Sequence, residues 1–261
     1  MSKKINVGNI TLSNSSQMCI IAGLNVLESE GMTIEVARTL QKITQNLGIP
    51  FIFKASFDKA NRSSVNSFRG PGISEGIKIF KELKKSLNVP IITDIHEISQ
   101  IEEISEVVDV IQIPAFLCRQ TDLIEAACKS NLPLNIKKGQ FLSPGQMANI
   151  IDKCSSFGYN NLIVDFLGVS ELKETQNPVI LDVTHSLQLP GGQGISAGGR
   201  SKQALDLALC GAAIGLAGIF LEVHPNPKEA LCDGPSATKL DDFKELVSKI
   251  KSIDDLAKTF N

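Results

Sequence analysis

Short apolar runs rich in β-branched residues recur along the 261-residue chain, and amphipathic stretches with helical spacing separate most of them. The runs are Met18–Ala22, Pro50–Lys54, Val89–Asp94, Val107–Ile113, Leu132–Lys137, Leu162–Asp165, Val179–Val183 and Gly218–Val223. The helical stretches are Ile34–Leu47, Ser74–Leu87, Ile98–Val107, Asp122–Ser130, Pro144–Cys154, Gln203–Leu216 and Leu240–Ile250. Repeated strand-then-helix order implies parallel strands joined by right-handed crossovers. The strand runs are apolar on successive residues, as expected where both faces are covered. Eight runs predict an α/β fold of the (β/α)8 barrel type. No GxGxxG follows the first run, which weakens an open dinucleotide-binding sheet. No linker or composition shift divides residues 1–261, so one domain is expected.

Composition narrows the picture. Aromatics are few (Phe 12, Tyr 1, Trp 0), so the core must be aliphatic. With 26 basic and 28 acidic side chains the net charge is −2, which provides no field for a nucleic acid or an anionic membrane surface. No apolar run approaches the roughly 20 residues that span a bilayer. The N-terminus has Lys3 and Lys4 but no apolar stretch after them, so it does not read as a secretory signal. Six cysteines are scattered without a CxxC pair, the pattern of reduced thiols in a cytoplasmic protein.

In parallel barrels the chemistry lies at the C-terminal ends of the strands. Polar residues accumulate there: Lys54, Ser56, Asp58, Lys59, Asn61, Arg62, Ser63 and Ser64 after the second run, Thr93-Asp94-Ile95-His96 at the third, and Gln112 before Pro114-Ala115 at the fourth. The fifth ends in Lys137-Lys138-Gly139-Gln140, the seventh in Asp182-Val183-Thr184-His185, and the eighth in Glu222-Val223-His224. The cations Lys54, Lys59, Arg62 and Lys137, set beside Asp94, Glu222 and His185, suit anionic ligands such as phosphates or a phosphate with a carboxylate. Asn61-Arg62-Ser63-Ser64 offers a guanidinium fork and hydroxyls for one phosphate. Lys54 is favoured as an electrostatic lysine over a Schiff-base one. His185, Glu222 and Asp233 would need a fourth ligand to hold a divalent metal, and the first-strand candidate, Asn25, is a poor one beside imidazole. His96 and His224 read as hydrogen-bonded loop histidines. The stretch Gly191-Gly192-Gln193-Gly194 and Gly198-Gly199-Arg200 predicts a lid after the seventh strand.

Together these residues resemble the 3-deoxy-D-manno-octulosonate 8-phosphate synthase family over nearly the whole chain. The matching stretches are GLNVLES (Gly23–Ser29), FKASFDKANRSS (Phe53–Ser64), RGPG (Arg69–Gly72), TDIHE (Thr93–Glu97), QIPAFLCRQTDL (Gln112–Leu123), KKGQFLSP (Lys137–Pro144), FGYNNL (Phe157–Leu162), DVTHS (Asp182–Ser186) and CDGPSA (Cys232–Ala237). KANRSS separates it from the sister 3-deoxy-arabino-heptulosonate 7-phosphate synthases, which resemble KPRTS there. The resemblance implies a cytoplasmic homotetramer that condenses phosphoenolpyruvate with D-arabinose 5-phosphate and water for lipopolysaccharide synthesis. It implies that Lys59 and Lys137 hold phosphoenolpyruvate with Ser56, Gln112 and the Ala115 N–H, and that Arg62 and Ser63 bind the pentose phosphate beside Asn61. Asn25, Lys54 and Asp94 would meet the aldehyde and hydroxyls, and His185, Glu222 and Asp233 would surround the reacting carbons. Asparagine rather than cysteine at position 25 marks the metal-independent members, so no cofactor is expected. The alternatives are the sister reaction with erythrose 4-phosphate and a barrel that binds sugar phosphates without turnover.

The resemblance breaks near 154–156. The family has a strand ending in a Cys-Glu/Asp-Arg-Gly-like motif before FGYNN, whereas Asp152-Lys153-Cys154-Ser155-Ser156-Phe157 joins the flanking segments directly. That strand and its phosphate-binding arginine have no counterpart, and Leu162–Asp165 corresponds to a later family segment. A parallel barrel short of one strand would expose two edges, which favours an omitted stretch over a shortened barrel.

Overall fold

Every residue of Cys19–Leu24 (β3) is buried, as are those of Phe51–Ala55 (β4), Ile91–Asp94 (β5), Val110–Ile113 (β6), Leu134–Ile136 (β7), Ile180–Asp182 (β8) and Gly218–His224 (β11). Burial on both faces is what their continuous apolar runs require. These seven strands pair in parallel in the order β8-β11-β3-β4-β5-β6-β7. The computed structural model describes residues 3–62, 64, 66–139, 141–143, 146–147, 149–151, 166–189, 198–199 and 201–260. The predicted run Leu162–Asp165 lies outside them. The short strand Thr238–Lys239 (β12) continues the edge of β11 beyond β8. Gln188–Leu189 (β9) and Gly198–Gly199 (β10) form a separate antiparallel pair.

The helices Glu30–Asn46 (α1), Ile73–Leu87 (α2) and Thr121–Cys128 follow β3, β4 and β6, as the periodicity predicts. Ser29 caps α1 by accepting the Met32 N–H, and Asn88 ends α2 in a left-handed conformation at φ 48°. Three expectations change. The stretch 98–107 is a 3-10 turn followed by a helix of only Ile101–Ser105. The last helix starts at Phe243 and runs to Ala257. A helix at Phe166–Glu174 was not foreseen. No helix among the described residues is long and apolar enough to cross a membrane.

A hairpin of Ile5–Val7 (β1) and Ile10–Leu12 (β2), turning at Gly8 with φ 57°, lies under the barrel. Its Ile5, Val7 and Leu12 meet Ile21, Ile52 and Ile92 around an apolar cavity of about 20 Å³, room for little more than one water. The N-terminal end of the barrel is therefore filled with apolar side chains, and the polar strand ends face the other way. Cys19, Cys118, Cys128 and Cys232 are reduced and buried, whereas Cys210 is exposed.

Candidate active site

Strand register brings the first charged pair together. Glu222 lies opposite Gly23, and Gly23 opposite Lys54. With no side chain between them, Lys54 and Glu222 meet across the glycine, Nζ to Oε1, at 2.6 Å, both removed from solvent. A Cβ at Gly23 would run into the Lys54 carbonyl oxygen and the Phe53 ring. Phe220, two residues before Glu222 on β11, lies beneath the cations, its ring centre 5.5 Å from Lys54 Nζ and 4.4 Å from Lys137 Nζ.

A second set gathers where β7 and β8 end. Lys137 Nζ donates to Asp182, and His185 Nδ1 lies 2.8 and 3.0 Å from the two Asp182 carboxylate oxygens. Asp182 also caps the turn Val183–Ser186 by accepting the His185 backbone N–H at 2.9 Å. Thr184 Oγ1 accepts the Glu222 N–H, and His185 Nε2 lies 3.9 Å from Glu222 Oε1, which joins the two sets.

The third set closes the mouth. Asn25 Nδ2 donates to Asp233 at 2.5 Å and to Cys232 Sγ at 3.1 Å. Arg62 Nη1 donates to Cys232 Sγ at 2.8 Å and stands 4.0 Å from Asp233. Ser56 donates to Asp94, which His96 Nε2 approaches to 3.3 Å from its other side. Asn135 donates to Gln112 at 3.2 Å. Arg62, Asn226, Lys228, Cys232, Asp233 and Lys239 line a cleft of about 800 Å³ that opens from this set.

Lys59 is buried, yet among the described residues it makes no ion pair within 4 Å. Burial works to lower its pKa, but the charges of Asp94 and Glu222 outweigh that and raise it. Burial lowers the pKa of Lys54, opposed by Glu222 and reinforced by the neighbouring Lys59. Burial alone would raise the pKa of Asp94, but Lys59 and the His96 hydrogen bond hold it well below the usual carboxylate range. Asp182 is likewise held low against its burial by His185 and Lys137, and Asp233 by His185 and Asn25. Burial pushes the Cys232 thiol up to about 12, so it is a neutral hydrogen-bonding group. Buried Asn25 Oδ1, Arg62 Nε and Glu222 Oε2 have no hydrogen-bond partner among the described residues. Orphaned buried polar atoms are costly, and three of them in one mouth mark a place built to receive polar ligand atoms.

Most of the predicted site residues are thus brought together: Asn25, Lys54, Ser56, Lys59, Arg62, Asp94, Lys137, His185, Glu222 and Asp233. Gln112 sits at the end of β6 against Asn135, and Ala115 opens the 3-10 turn that follows. Asn61 is an exposed turn residue. Ser63, Gln140 and the predicted lid residues 191–194 lie outside the described residues. One reading is corrected: His224 is a buried strand residue, 3.3 Å from Glu28, whereas His96 is the hydrogen-bonded loop histidine expected, its partner the site carboxylate Asp94. Asp182, Cys232, Thr184 and Phe220 were missed as site residues. Asp182 ends its strand as the predicted residues end theirs, and its strand-end position is the signal that marks it.

The donor chemistry at Asn25 bears on metal binding. Its amide nitrogen faces a carboxylate and a thiol, so it presents N–H groups where a ligand would present a lone pair. Among the described residues, no three His, Cys, Asp or Glu side chains cluster closely enough to hold a metal ion.

Residues 2–259 match the DAHP synthetase I family. The chain is 52% identical to a 2-dehydro-3-deoxyphosphooctonate aldolase of Shewanella baltica strain OS185, over 99% of this chain and 97% of that protein. It is 51% identical to the protein of the same name from Pseudomonas savastanoi pv. phaseolicola and 50% identical to that from Hahella chejuensis, each over 99% of this chain and 97% of the relative. The first alignment extends over 273 positions, twelve more than this chain has residues, so that relative carries residues with no counterpart here.

Proposed function

We infer that this chain, which belongs to the DAHP synthetase I family, condenses phosphoenolpyruvate with D-arabinose 5-phosphate and water to give 3-deoxy-D-manno-octulosonate 8-phosphate and inorganic phosphate. The observation that carries this reading is the gathering in one barrel mouth of Lys59 and the polar atoms of Arg62, Asn25 and Glu222 that, among the described residues, have no ion-pair or hydrogen-bond partner. Two relatives of about half identity and nearly full coverage, named for the octonate product, favour arabinose 5-phosphate over the shorter erythrose 4-phosphate.

Lys59 and Lys137 hold phosphoenolpyruvate, with Ser56, Gln112 and the Ala115 N–H beside it. Arg62, Asn61 and Ser63 take the pentose phosphate at the cleft, and Asn25, Lys54 and Asp94 meet its aldehyde and hydroxyls. C3 of phosphoenolpyruvate bonds to the aldehyde carbon while water adds at C2, and phosphate then leaves. Negative charge develops on the former carbonyl oxygen, where fixed donors stabilise it without reorganising. Holding two anions face to face supplies much of the remaining acceleration. The Asn25 donor geometry supports a metal-independent reaction. The enzyme works in the cytoplasm as a homotetramer.

The extra positions of the relatives support a second reading, in which loss of the family arginine near 154–156 leaves a barrel that binds arabinose 5-phosphate without turning it over. Phosphate release from phosphoenolpyruvate, assayed with each sugar phosphate and with and without chelator, decides. Release with arabinose 5-phosphate, undiminished by chelator, is expected. Binding without release would establish the second reading, release only with erythrose 4-phosphate the sister reaction, and abolition by chelator a metal requirement.

A further inference from the structure

Asp182 has no contact of its own with the open cleft, yet one buried carboxylate organises three groups. It accepts from Lys137 Nζ, from the His185 backbone N–H, and from the side of the imidazole that carries Nδ1. We propose that Asp182 is a positioning residue that fixes His185 in the Nδ1–H tautomer and so presents Nε2 to the site as a lone-pair acceptor.

The geometry decides between the two neutral tautomers. Nδ1 lies 2.8 and 3.0 Å from the Asp182 oxygens. A lone pair there would face two carboxylate oxygens, whereas an N–H satisfies them. Lys137 Nζ also stands 3.1 Å from Nδ1 and would favour the opposite tautomer, but it lies farther off than either oxygen and already donates to Asp182. With Nδ1 engaged, Nε2 is left on the side of Glu222, at 3.9 Å. The imidazole stacks obliquely on Phe220, ring centres 5.9 Å apart, which limits its rotation out of that position.

This inference deepens the synthase reading and rests on it for its kinetic consequence alone. An Nε2 lone pair can take one proton from the water that adds to substrate. The O–H pair stays with oxygen to form the new C–O bond, the proton goes to Nε2, and the Asp182 charge stabilises the resulting imidazolium. A carboxylate held behind a catalytic imidazole has this effect in other enzymes, where the matching amide imposes the wrong tautomer.

The test uses full-length protein labelled with 15N-histidine. The chain has only three histidines, so loss of a signal in His185→Gln assigns the ring. Long-range 1H–15N correlation at the pH of turnover should show Nδ1 protonated and Nε2 bare. In Asp182→Asn the amide donates to Nδ1, so the tautomer should switch. There kcat should fall at least about 100-fold while each KM moves less than about threefold, because the amide oxygen still accepts from Lys137. A ring protonated at Nε2 in the wild-type protein, or a folded Asp182→Asn protein with unchanged kcat, overturns the proposal. The wild-type tautomer is decisive even if the variant does not fold. If wild-type protein shows the Nδ1–H ring but releases no phosphate, the synthase reading fails and the positioning role stands.

Discussion

Lys54 and Glu222 are each held in place by the other with both side chains buried, and neither tolerates being left alone. Glu222→Gln leaves the Lys54 ammonium buried opposite an amide, which should cost about 3–5 kcal/mol of stability. Urea denaturation of the variant against wild type measures it, and a change below 1 kcal/mol would show that Lys54 relaxes to solvent or loses its proton. Gly23→Ala acts on the same pair through the backbone. The added methyl runs into the Lys54 carbonyl, so β3 and β4 must separate and the charged pair must lengthen. Arg62→Ala should weaken arabinose 5-phosphate by about 1.5–3 kcal/mol, the worth of a charge-assisted contact, and weaken phosphoenolpyruvate much less. Calorimetric titration with each ligand distinguishes them; equal losses would remove Arg62 from the pentose site. These cations were legible in the sequence because a charged residue at the end of an apolar strand has few structural explanations. Asp182 was not, since its importance lies in facing Lys137 from 45 residues away, a proximity that only the folded chain brings about. Cys232 reads as a buried thiol until its contacts with Arg62 and Asn25 are seen.

Strands were easier to place than helices and turns. Continuous burial makes β3 to β6 and β11 uninterrupted apolar runs, and their ends shifted by at most three residues. The hairpin Ile5–Leu12 escaped notice because three-residue strands leave almost no period to detect. The expected helix 98–107 began correctly but tightened into a 3-10 turn where Gln100 folds back to cap the His96 and Glu97 N–H groups. One connection between elements is a single side chain. Asn14, after the hairpin, donates to the Asn177 carbonyl and accepts the Val179 N–H, each at 2.8 Å, immediately before β8 begins. Asn14→Ala strands both buried backbone groups and should cost about 1–3 kcal/mol, with faster amide hydrogen exchange at Val179 than in the rest of the sheet. Unchanged exchange at Val179 would show that β8 is held by β11 alone.

For the molecule as a whole, the depressed acidic groups set the response to pH. Asp94, Asp182 and Asp233 have folded-state pKa values below those of the unfolded chain, about 3.9 for aspartate. Below that value the unfolded state binds more protons, so stability must rise with pH through the acid range and level off by about pH 5. Their contribution is present above pH 5 and lost as pH falls through the folded values. Urea midpoints between pH 2 and 6 should therefore climb and flatten, and Asp94→Asn should climb less steeply; parallel curves would show that Asp94 keeps its pairing in the unfolded chain. The barrel was legible from strand count and order, apart from the place near 154–156. Intact mass settles that place, because 28.1 kDa would establish a shortened chain and a heavier protein an omitted stretch. The plug of Ile5, Val7 and Leu12 has a kinetic corollary. Among the described residues that end of the cylinder is stoppered by hydrocarbon, so reactants and products pass through the opposite mouth, and whichever molecule sits nearer the stopper has to come in first and go out last.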